Sequence, residues 1–302
     1  MDKRNIVTVF GGTGFLGRRV VQHLCQRELY VRVASRHPDR SRVAGVDDTH
    51  LQFMTADIRD PRSVANAIAG AHGVVNAVSL YVERGAETFD AVHVEAAARV
   101  AAHAMKSGVK RLVHLSGIGA DVASQSLYIR KRGEGELAVR AEFPDAVLIR
   151  PAVMFGPDDT FLTTVITLLR RLPIFPMFGS GATRIQPVYV EDVAEAVALA
   201  LEQPTETFEC GGPHVYTYAD FLRSVAHEVG LKPTLVPFPF AAWHALAWLS
   251  ELQPTPLITH NQVELMQIDT IASPERPGLL NLGISPQAAE EIIQRMPSRQ
   301  RS

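Results

Sequence analysis

Short, continuous apolar runs alternate with longer amphipathic segments along the first half of the chain. The runs that predict buried strands are NIVTVF, YVRVAS, LQFMTAD, GVVNAVS, RLVHLSG and AVLIRPAVMF. Helices are predicted from the glycines after the first run to Arg27, and over residues 61–69, 89–107 and 127–142. Continuous apolar strands separated by helices indicate a parallel sheet that is covered on both faces. Because crossovers between parallel strands are right-handed, we predict a doubly wound α/β fold.

The pattern changes after Gly156, where proline and glycine interrupt the chain more often. Proline recurs at short intervals between residues 173 and 256. Such residues divide a chain into small elements. We therefore predict a doubly wound domain over residues 1–155 and a small C-terminal subdomain over residues 156–302, interleaved with the first. We expect this subdomain at the carboxyl edge of the sheet, where α/β folds form their ligand crevice.

A glycine-rich loop, GGTGFLG, joins the first predicted strand to the first predicted helix. Gly11 permits the tight turn out of the strand, Gly14 lets the backbone approach a pyrophosphate, and Gly17 lets the helix lie close to the strand. The helix N-terminus presents free N–H groups to the phosphates. In this context the loop predicts a dinucleotide-binding Rossmann domain. The predicted cofactor-binding residues of the loop are Gly11, Gly12, Thr13, Gly14, Phe15, Leu16 and Gly17.

The second predicted strand ends in Ser35 and Arg36, and no carboxylate follows until Asp39. An acidic residue at this point would accept a hydrogen bond from the ribose 2′-hydroxyl of NAD, whereas an arginine suits the 2′-phosphate of NADP. We expect Ser35 and Arg36 to contact this part of the cofactor. NADP(H) is therefore favoured, with NAD(H) as the alternative.

Two further predicted strand ends carry candidate cofactor contacts. Asp57, in TADIRD, is placed to accept a hydrogen bond from the adenine amino group, and Ile58 to pack on the ring. Asn76, Ala77 and Val78 end the fourth predicted strand. We expect these three residues to line the side of the site that holds the ribose and the nicotinamide.

The overall composition narrows the classes of ligand. The chain has 302 residues, with 30 lysines and arginines against 32 acidic residues. This balance argues against nucleic acid and against an anionic membrane surface as partners, so we expect a small ligand. The two cysteines lie near no CxxC motif and no histidine cluster. We therefore expect no disulfide framework and no metal site, and a cytoplasmic location.

No apolar run reaches the roughly 20 residues that a membrane-spanning helix needs. The nearest is PFAAWHALAWLSEL, residues 239–252, which contains both tryptophans of the chain. We interpret it as a core or pocket-lining helix. Contact with a membrane surface, on its inner face, is the alternative.

Taken in order, these motifs resemble the short-chain dehydrogenase/reductase superfamily in its extended or atypical form, the NAD-dependent epimerase/dehydratase type. The matching stretches are GGTGFLG, TADIRD, RLVHLSG, Tyr128 with the basic residues after it, LIRPAVMFGP and QPVYVEDVAEAV. FGGTGFLGRRVV, ETFDAVHVE and CGGPHVYTY further resemble the bacterial branch of the nucleotide-binding accessory subunit family of respiratory complex I. The resemblance implies bound NADP(H) or NAD(H), with Pro151 and Val153 near the nicotinamide.

The resemblance also implies a catalytic site at Tyr128, from which this sequence departs in two places. Family members carry a lysine four residues after the tyrosine, where its charge lowers the phenol pKa and its ammonium binds the cofactor ribose. Here Arg132 stands at that position and Lys131 at three residues, and both spacings share the tyrosine face of a helix. The catalytic hydroxyl of extended members falls at Gly117, one residue after Ser116.

Two functions remain open at this point. In the first, the protein holds NADP(H) in a structural, accessory or redox-sensing role, docked to a membrane-associated respiratory or quinone-synthesis complex. In the second, it is a soluble oxidoreductase or epimerase in which Tyr128 is the acid/base, with Arg132, Lys131 and Ser116 as its catalytic partners. A nucleic-acid regulator is disfavoured, since the sequence has no basic stripe with interleaved aromatic residues.

Overall fold

The computed structural model describes residues 6–295, except residues 44, 47, 254, 255 and 257. The strands are β1 (Ile6–Phe10), β2 (Tyr30–Ser35), β3 (Leu51–Thr55), β4 (Gly73–Asn76), β5 (Arg111–Leu115), β6 (Val147–Pro151), β7 (Met154–Phe155), β8 (Ile174–Phe178), β9 (Arg184–Ile185), β10 (Val188–Tyr189), β11 (Thr207–Cys210), β12 (Tyr216–Thr217) and β13 (Thr234–Phe238). The α-helices are α1 (Gly17–Gln26), α2 (Pro61–Ile68), α3 (Ala97–Lys106), α4 (Leu127–Glu142), α5 (Thr160–Arg171), α6 (Val190–Ala200), α7 (Tyr218–Glu228), α8 (Phe240–Glu251), α9 (His260–Leu265) and α10 (Ala289–Arg295). Short 3-10 helices span Arg40–Arg42, Asp48–His50 and Leu279–Leu282, and a π-helix spans Asp90–Ala96.

Seven strands form one sheet in the order β11-β6-β5-β4-β1-β2-β3. Every neighbouring pair in this sheet is parallel. The chain winds outward from β1 in one direction and then outward from β4 in the other, so the strand order reverses between these two strands. The predicted doubly wound parallel sheet is confirmed.

The chain divides into two compact units, and each is drawn from several segments. The first comprises residues 1–151, 190–210 and 274–285, and the second comprises residues 152–189, 211–273 and 286–302. The first unit holds the seven-stranded sheet. Its edge strand β11 and its helix α6 therefore come from chain that lies beyond the first segment of the second unit.

The strands of the first unit are buried because both faces of the sheet are covered. The valines of β1 and β4 and the valine, leucine and isoleucine of β6 have almost no exposed surface, as expected of a parallel sheet between two helical layers. A core cluster on one side joins α2, α3 and α4 through residues that include Val64, Val100 and Val139.

The long helix predicted over residues 89–107 divides into the π-helix Asp90–Ala96 and the α-helix α3. The π-helical stretch packs closely against α4. A Cβ at Gly135 of α4 would lie only 2.0 Å from the carbonyl oxygen of His93. A side chain at position 135 is therefore sterically incompatible with this helix contact.

The second unit has its own core, built from α5, α7 and α10 with three two-stranded sheets, β10-β7, β12-β9 and β13-β8. Helix α8, the segment with two tryptophans, partly buries one of them and exposes the other. Trp243 donates its indole N–H to the carbonyl oxygen of Met177 at 3.1 Å, and its ring centroid lies 4.4 Å from that of Phe178. Trp248 is 61% exposed.

Candidate functional site

The glycine loop turns sharply out of β1 and into α1. Gly11 has a φ of +76°, and its N–H donates to the carbonyl oxygen of Ala34 at 2.9 Å. A Cβ at Gly17 would lie 2.1 Å from the carbonyl oxygen of Gly11. Helix α1 can begin this close to the loop only because residue 17 has no side chain.

Three further predicted residues of the loop pack against neighbouring side chains or at the start of α1. A Cβ at Gly12 would lie 3.0 Å from a methyl carbon of Val33. Leu16 is buried and stands at the N-cap position of α1. The guanidinium of Arg19 lies 4.7 Å from the ring centroid of Phe15, in cation–π geometry.

A cavity of about 270 Å³ lies at the carboxyl ends of β1 to β4. The predicted cofactor-binding residues that line it are Gly11, Thr13, Gly14, Ser35, Arg36, Asp57, Ile58, Ala77 and Val78. Lining residues that the sequence did not indicate are Phe10, Ala34, Ala56, Arg59, Ser79, Leu80, Glu87 and Val92. Most of these lie within a few residues of a strand end, and that position is the signal that could have found them. Glu87 and Val92 come from the chain between β4 and α3 and carry no such signal.

Side-chain contacts link the glycine loop to the end of β2 and then to a neighbouring segment. Thr13 Oγ1 donates to Ser35 Oγ at 2.9 Å. The backbone N–H of His37 lies 3.3 Å from the same oxygen. Arg36, which is largely exposed, forms an ion pair with Glu87. The basic group predicted for the 2′ position is therefore held by an acidic side chain at the edge of the cavity.

A second arginine joins this cluster from the end of β3. Arg59 donates from Nη2 to Asp57 Oδ2 at 2.7 Å, and its Nη2 lies 3.7 Å from Glu87 Oε1. The backbone N–H of Arg59 also donates to Asp57 Oδ1 at 2.9 Å. Hydrogen bonding from Arg59 lowers the pKa of Asp57. Ile58, between them in sequence, is buried and lines the cavity.

The end of β4 forms hydrogen bonds with both neighbouring strands, β1 and β5. The amide nitrogen of Asn76 lies 3.3 Å from Nδ1 of His114 on β5, and Asn76 Oδ1 accepts from the N–H of Val78 at 3.3 Å. The N–H of Ala77 donates to the carbonyl oxygen of Phe10 at 3.0 Å. Asn76 is buried behind the strand end, while Ala77 and Val78 face the cavity.

Tyr128, in the first turn of α4, lies in an aromatic cluster. Its ring centroid is 6.0 Å from that of Tyr81, 5.3 Å from that of Phe89 and 5.7 Å from that of His93. Tyr128 is only 7% exposed. Burial raises the pKa of its phenol, and the positive charge of Arg132 opposes that rise without cancelling it. The phenol is therefore a weaker acid than a free tyrosine.

Arg132 is the cation that lies beside Tyr128. Its guanidinium carbon is 4.8 Å from the Tyr128 ring centroid, and Nη2 donates to Ser79 Oγ at 2.7 Å. Nε is buried and has no hydrogen-bond partner among the described residues. A Cβ at Gly117 would lie 3.5 Å from Nη1, so the guanidinium fills the space in front of that position. An arginine keeps its proton at any accessible pH, so Arg132 supplies charge and hydrogen bonds but no proton.

Lys131 is held on another side of α4. Its Nζ lies 2.7 Å from Asp90 Oδ1 and 2.7 Å from Glu134 Oε2. Hydrogen bonds to these two carboxylates raise the pKa of Lys131. The structure thus brings Arg132 to Tyr128 and places Lys131 in two ion pairs.

Two serines near Tyr128 in sequence, the predicted Ser116 and in addition Ser126, have buried hydroxyl groups. Ser116 directly follows β5 and is 4% exposed, and its Oγ has no hydrogen-bond partner among the described residues. Ser126, at the N-cap position of α4, has an equally unpartnered Oγ. Pro151 ends β6, and its carbonyl oxygen accepts from the N–H of Ile118 at 3.1 Å. Val153 belongs to the second unit.

A buried ionic cluster fixes α4 to the sheet. Arg150 of β6 donates from Nε and Nη2 to the two carboxylate oxygens of Glu136 at 2.8 and 2.6 Å. Its Nη1 donates to Glu209 of β11 at 3.1 Å. The three side chains are 15%, 7% and 7% exposed respectively. One guanidinium thus connects the helix that carries Tyr128 to two strands.

His114→Gln is expected to make the protein less sensitive to acid. Burial, and then the charge of Arg132, lower the pKa of His114 to about 3, whereas an unfolded histidine titrates near 6.5. Between these values only the unfolded chain binds the proton, so stability is lost as pH falls below about 6.5, at about 1.4 kcal/mol per pH unit. Urea unfolding at pH 6.5 and 5.5 should show a loss that is smaller by about 1 kcal/mol in the variant, because half of the unfolded histidine is already protonated at pH 6.5. Equal pH slopes for His114→Gln and wild type would contradict the expectation.

Two classes of site are absent from the part of the chain that the structure describes. No group of three or more histidine, cysteine, aspartate or glutamate residues there is arranged to hold a metal ion. None of the described helices combines the length and the apolar content that a bilayer crossing requires.

Solved structures share this fold over almost the whole chain. The triphenylmethane reductase of a Citrobacter species has a TM-score of 0.75 at 17% identity, covering 96% of this chain and 98% of that one. The UDP-glucose 4-epimerase of Thermus thermophilus, solved in complex with NAD, has a TM-score of 0.71 at 22% identity, covering 98% and 99%. At such identities the likeness shows the fold alone.

Sequence relatives define the family. The NADH dehydrogenase (ubiquinone) 1 alpha subcomplex subunit 9, mitochondrial, of Rattus norvegicus is 31% identical over 96% of this chain and 80% of its own length. The ceramide reductase of Caulobacter vibrioides is 31% identical over 79% of this chain and 75% of its own length. Residues 7–211 match the NAD dependent epimerase/dehydratase family. The predicted resemblance is confirmed: the chain belongs to this family of NAD(P)-binding extended short-chain dehydrogenases/reductases and is related to the accessory subunits of respiratory complex I.

Proposed function

We propose that this protein holds NADP(H) in a structural, accessory or redox-sensing role within a membrane-associated respiratory or quinone-synthesis assembly. The observation that carries the cofactor choice is the pair Arg36 and Arg59 at the edge of the cavity formed by the strand ends. Among the described residues that line this cavity, the carboxylates are those of Asp57 and Glu87, and both are paired with these arginines. Two guanidinium groups suit a 2′-phosphate.

The surroundings of Tyr128 favour a protein that binds the cofactor over one that uses it in catalysis. A phenol that works as an acid needs its pKa lowered toward the working pH. Here burial raises the pKa of Tyr128, and the cation beside it is an arginine, which moves no proton. Lys131, the other basic residue close to Tyr128 in sequence, forms ion pairs with Asp90 and Glu134. The site therefore offers fixed charge and hydrogen bonds in place of a proton path.

The proposed partner follows from the relatives and from an exposed surface. The rat relative is named as a subunit of NADH dehydrogenase. Leu246, Trp248 and Leu249 of α8 are each more than 40% exposed. Exposed tryptophan and leucine side chains on one short helix are typical of protein contact surfaces. We infer that α8 contributes to the contact with the membrane-associated complex, at the cytoplasmic face.

The purified protein tests this proposal directly. The bound nucleotide is released by denaturation, identified by chromatography, and compared with that of protein incubated for increasing times with excess labelled NADPH. Retained NADPH that exchanges over hours, together with co-purification of respiratory or quinone-synthesis subunits from gently solubilised membranes, is the expected result. Bound NADH, or exchange within seconds from a protein without membrane partners, would count against it.

A second candidate function, an NAD(P)-dependent oxidoreductase or epimerase, is favoured by one constellation. Tyr128, Arg132 and Ser79 are in mutual contact, and the relative from Caulobacter vibrioides is named a ceramide reductase. In this function the Tyr128 phenol moves a proton to or from a substrate oxygen, and Arg132 stabilises the phenolate. Ser79 would orient the phenol.

Tyr128→Phe separates the two functions. For a cofactor-holding protein, we expect the variant to retain NADPH within about twofold of wild type, because the aromatic contacts persist when one hydroxyl is removed. Nicotinamide absorbance is followed with lipid-like and small carbonyl compounds for both proteins. Wild-type turnover that falls by more than about a hundredfold in the variant would establish the enzyme instead.

A further inference from the structure

Four charged side chains meet at the edge of the nucleotide cavity, and their formal charges cancel. Arg36 pairs with Glu87, and Arg59 pairs with Asp57 and approaches Glu87 to 3.7 Å. Two guanidinium groups therefore face two carboxylates. A phosphate with close to two negative charges gains little net attraction from a neutral cluster. One carboxylate has to leave before the cluster can serve as an anion site.

The two carboxylates are held very differently. Asp57 accepts from Nε and Nη2 of Arg59 and from the backbone N–H of the same residue. It also lies directly beyond β3, on the rigid edge of the sheet. Asp57 is therefore fixed in place, and its charge neutralises Arg59.

Among the described residues, the partners that the side chain of Glu87 has are the two arginines. It lies in the segment between β4 and the π-helix, where its backbone exchanges two hydrogen bonds of 2.9 Å with Arg84 in a local turn. Its side chain is 30% exposed. Its carboxylate can rotate into solvent without breaking a sheet contact. Departure of Glu87 leaves the cluster with one net positive charge.

We propose that Glu87 is an internal substitute for the 2′-phosphate. Its carboxylate holds Arg36 and Arg59 when no phosphate is bound, and the 2′-phosphate displaces it when NADP(H) binds. Glu87 thereby competes with the phosphate and lowers the selectivity of the site for NADP(H) over NAD(H). This inference rests on the proposed NADP(H) site and names the residue that sets its selectivity.

The test measures selectivity on the full-length protein. Wild type and Glu87→Gln are incubated to equilibrium with an excess of NADPH and NADH at equal concentrations. The bound nucleotides are then released by denaturation and quantified by chromatography. The bound ratio of NADPH to NADH should rise about tenfold in Glu87→Gln, because the phosphate no longer has to displace a carboxylate from the two arginines.

Two control variants isolate the charge at position 87. Glu95→Gln makes the same charge change at an exposed position outside the cavity lining and should leave the ratio within about twofold of wild type. Glu87→Asp keeps the charge and should also stay close to wild type. Thermal unfolding of each protein confirms that all are folded.

The possible outcomes separate this inference from the proposed function. An unchanged or lower ratio in Glu87→Gln overturns the inference, because Glu87 would then position Arg36 for the phosphate instead of competing with it. A wild-type protein that takes up NADH in preference overturns the NADP(H) assignment. The change between wild type and variant still decides the role of Glu87 in that case.

Discussion

Arg150→Met is expected to lower the free energy of unfolding by about 3–5 kcal/mol. The substitution keeps the volume of the side chain but removes the cation that faces Glu136 and Glu209, both of which are only 7% exposed. Both carboxylates then lose the guanidinium that pairs with them, and removing one partner of a buried ion pair costs far more than the loss of an exposed pair. Urea unfolding followed by circular dichroism, at constant nucleotide concentration, measures the change.

Two comparisons show whether burial is the cause. Arg184→Met breaks the Arg184–Asp269 pair, in which the arginine is 56% exposed, and should cost no more than about 1 kcal/mol. The triple variant Arg150→Met, Glu136→Gln, Glu209→Gln also removes the two carboxylate charges. It should recover part of the lost stability. If Arg150→Met costs as little as Arg184→Met, the ionic cluster does not hold α4 to the sheet.

Arg36→Leu should weaken NADPH binding by about 30-fold and leave NADH binding within about twofold. Hydrogen bonds from a guanidinium to a charged oxygen contribute about 1.5–3 kcal/mol, and 1.4 kcal/mol corresponds to a tenfold change in affinity. NADH lacks the 2′-phosphate, so it loses none of this contribution. Equilibrium titrations of the nicotinamide fluorescence with each nucleotide give the two dissociation constants.

The control for Arg36→Leu is a nearby arginine that does not line the cavity. Arg42→Leu removes an exposed cation of the same segment and should change neither affinity by more than about twofold. Arg36→Lys keeps the charge but loses the two-pronged geometry, and an intermediate loss is expected. Equal losses of NADPH and NADH affinity in Arg36→Leu would mean that this side chain supports the fold of the site instead of contacting the phosphate.

The fold could be predicted because the local pattern of apolar residues shows the order of strands and helices. The strands of a parallel sheet are buried on both faces, so β1, β4 and β6 are largely apolar along their whole length. The bounds of α4 coincide with the predicted 127–142. The π-helix was not predicted; its close contact with α4 at Gly135 joins residues far apart in sequence, which the local pattern does not record.

The cavity was predictable where it is built from strand ends, and not where a loop reaches it. Ser35, Arg36 and Asp57 lie at or within two residues of the ends of their strands, so the topology alone assigns them to one edge of the sheet. Glu87 reaches the cavity through the conformation of the chain between β4 and the π-helix, which no periodicity records. Helical spacing alone does not show which of the two basic residues after Tyr128 lies beside its ring. Hydrogen bonds and ion pairs with side chains of other elements decide this.

Strand β11, at one edge of the sheet, is synthesised late, and this affects how the nascent chain folds. Strand β11 completes the sheet beside β6, yet it emerges from the ribosome only after residues 152–189 of the second unit. At about 5–20 residues per second, β6 is an unpaired edge for some seconds on every nascent chain. Exposed apolar edges of this kind associate with other chains. We expect translation speed and chaperone supply between residues 151 and 210 to govern the yield of folded protein.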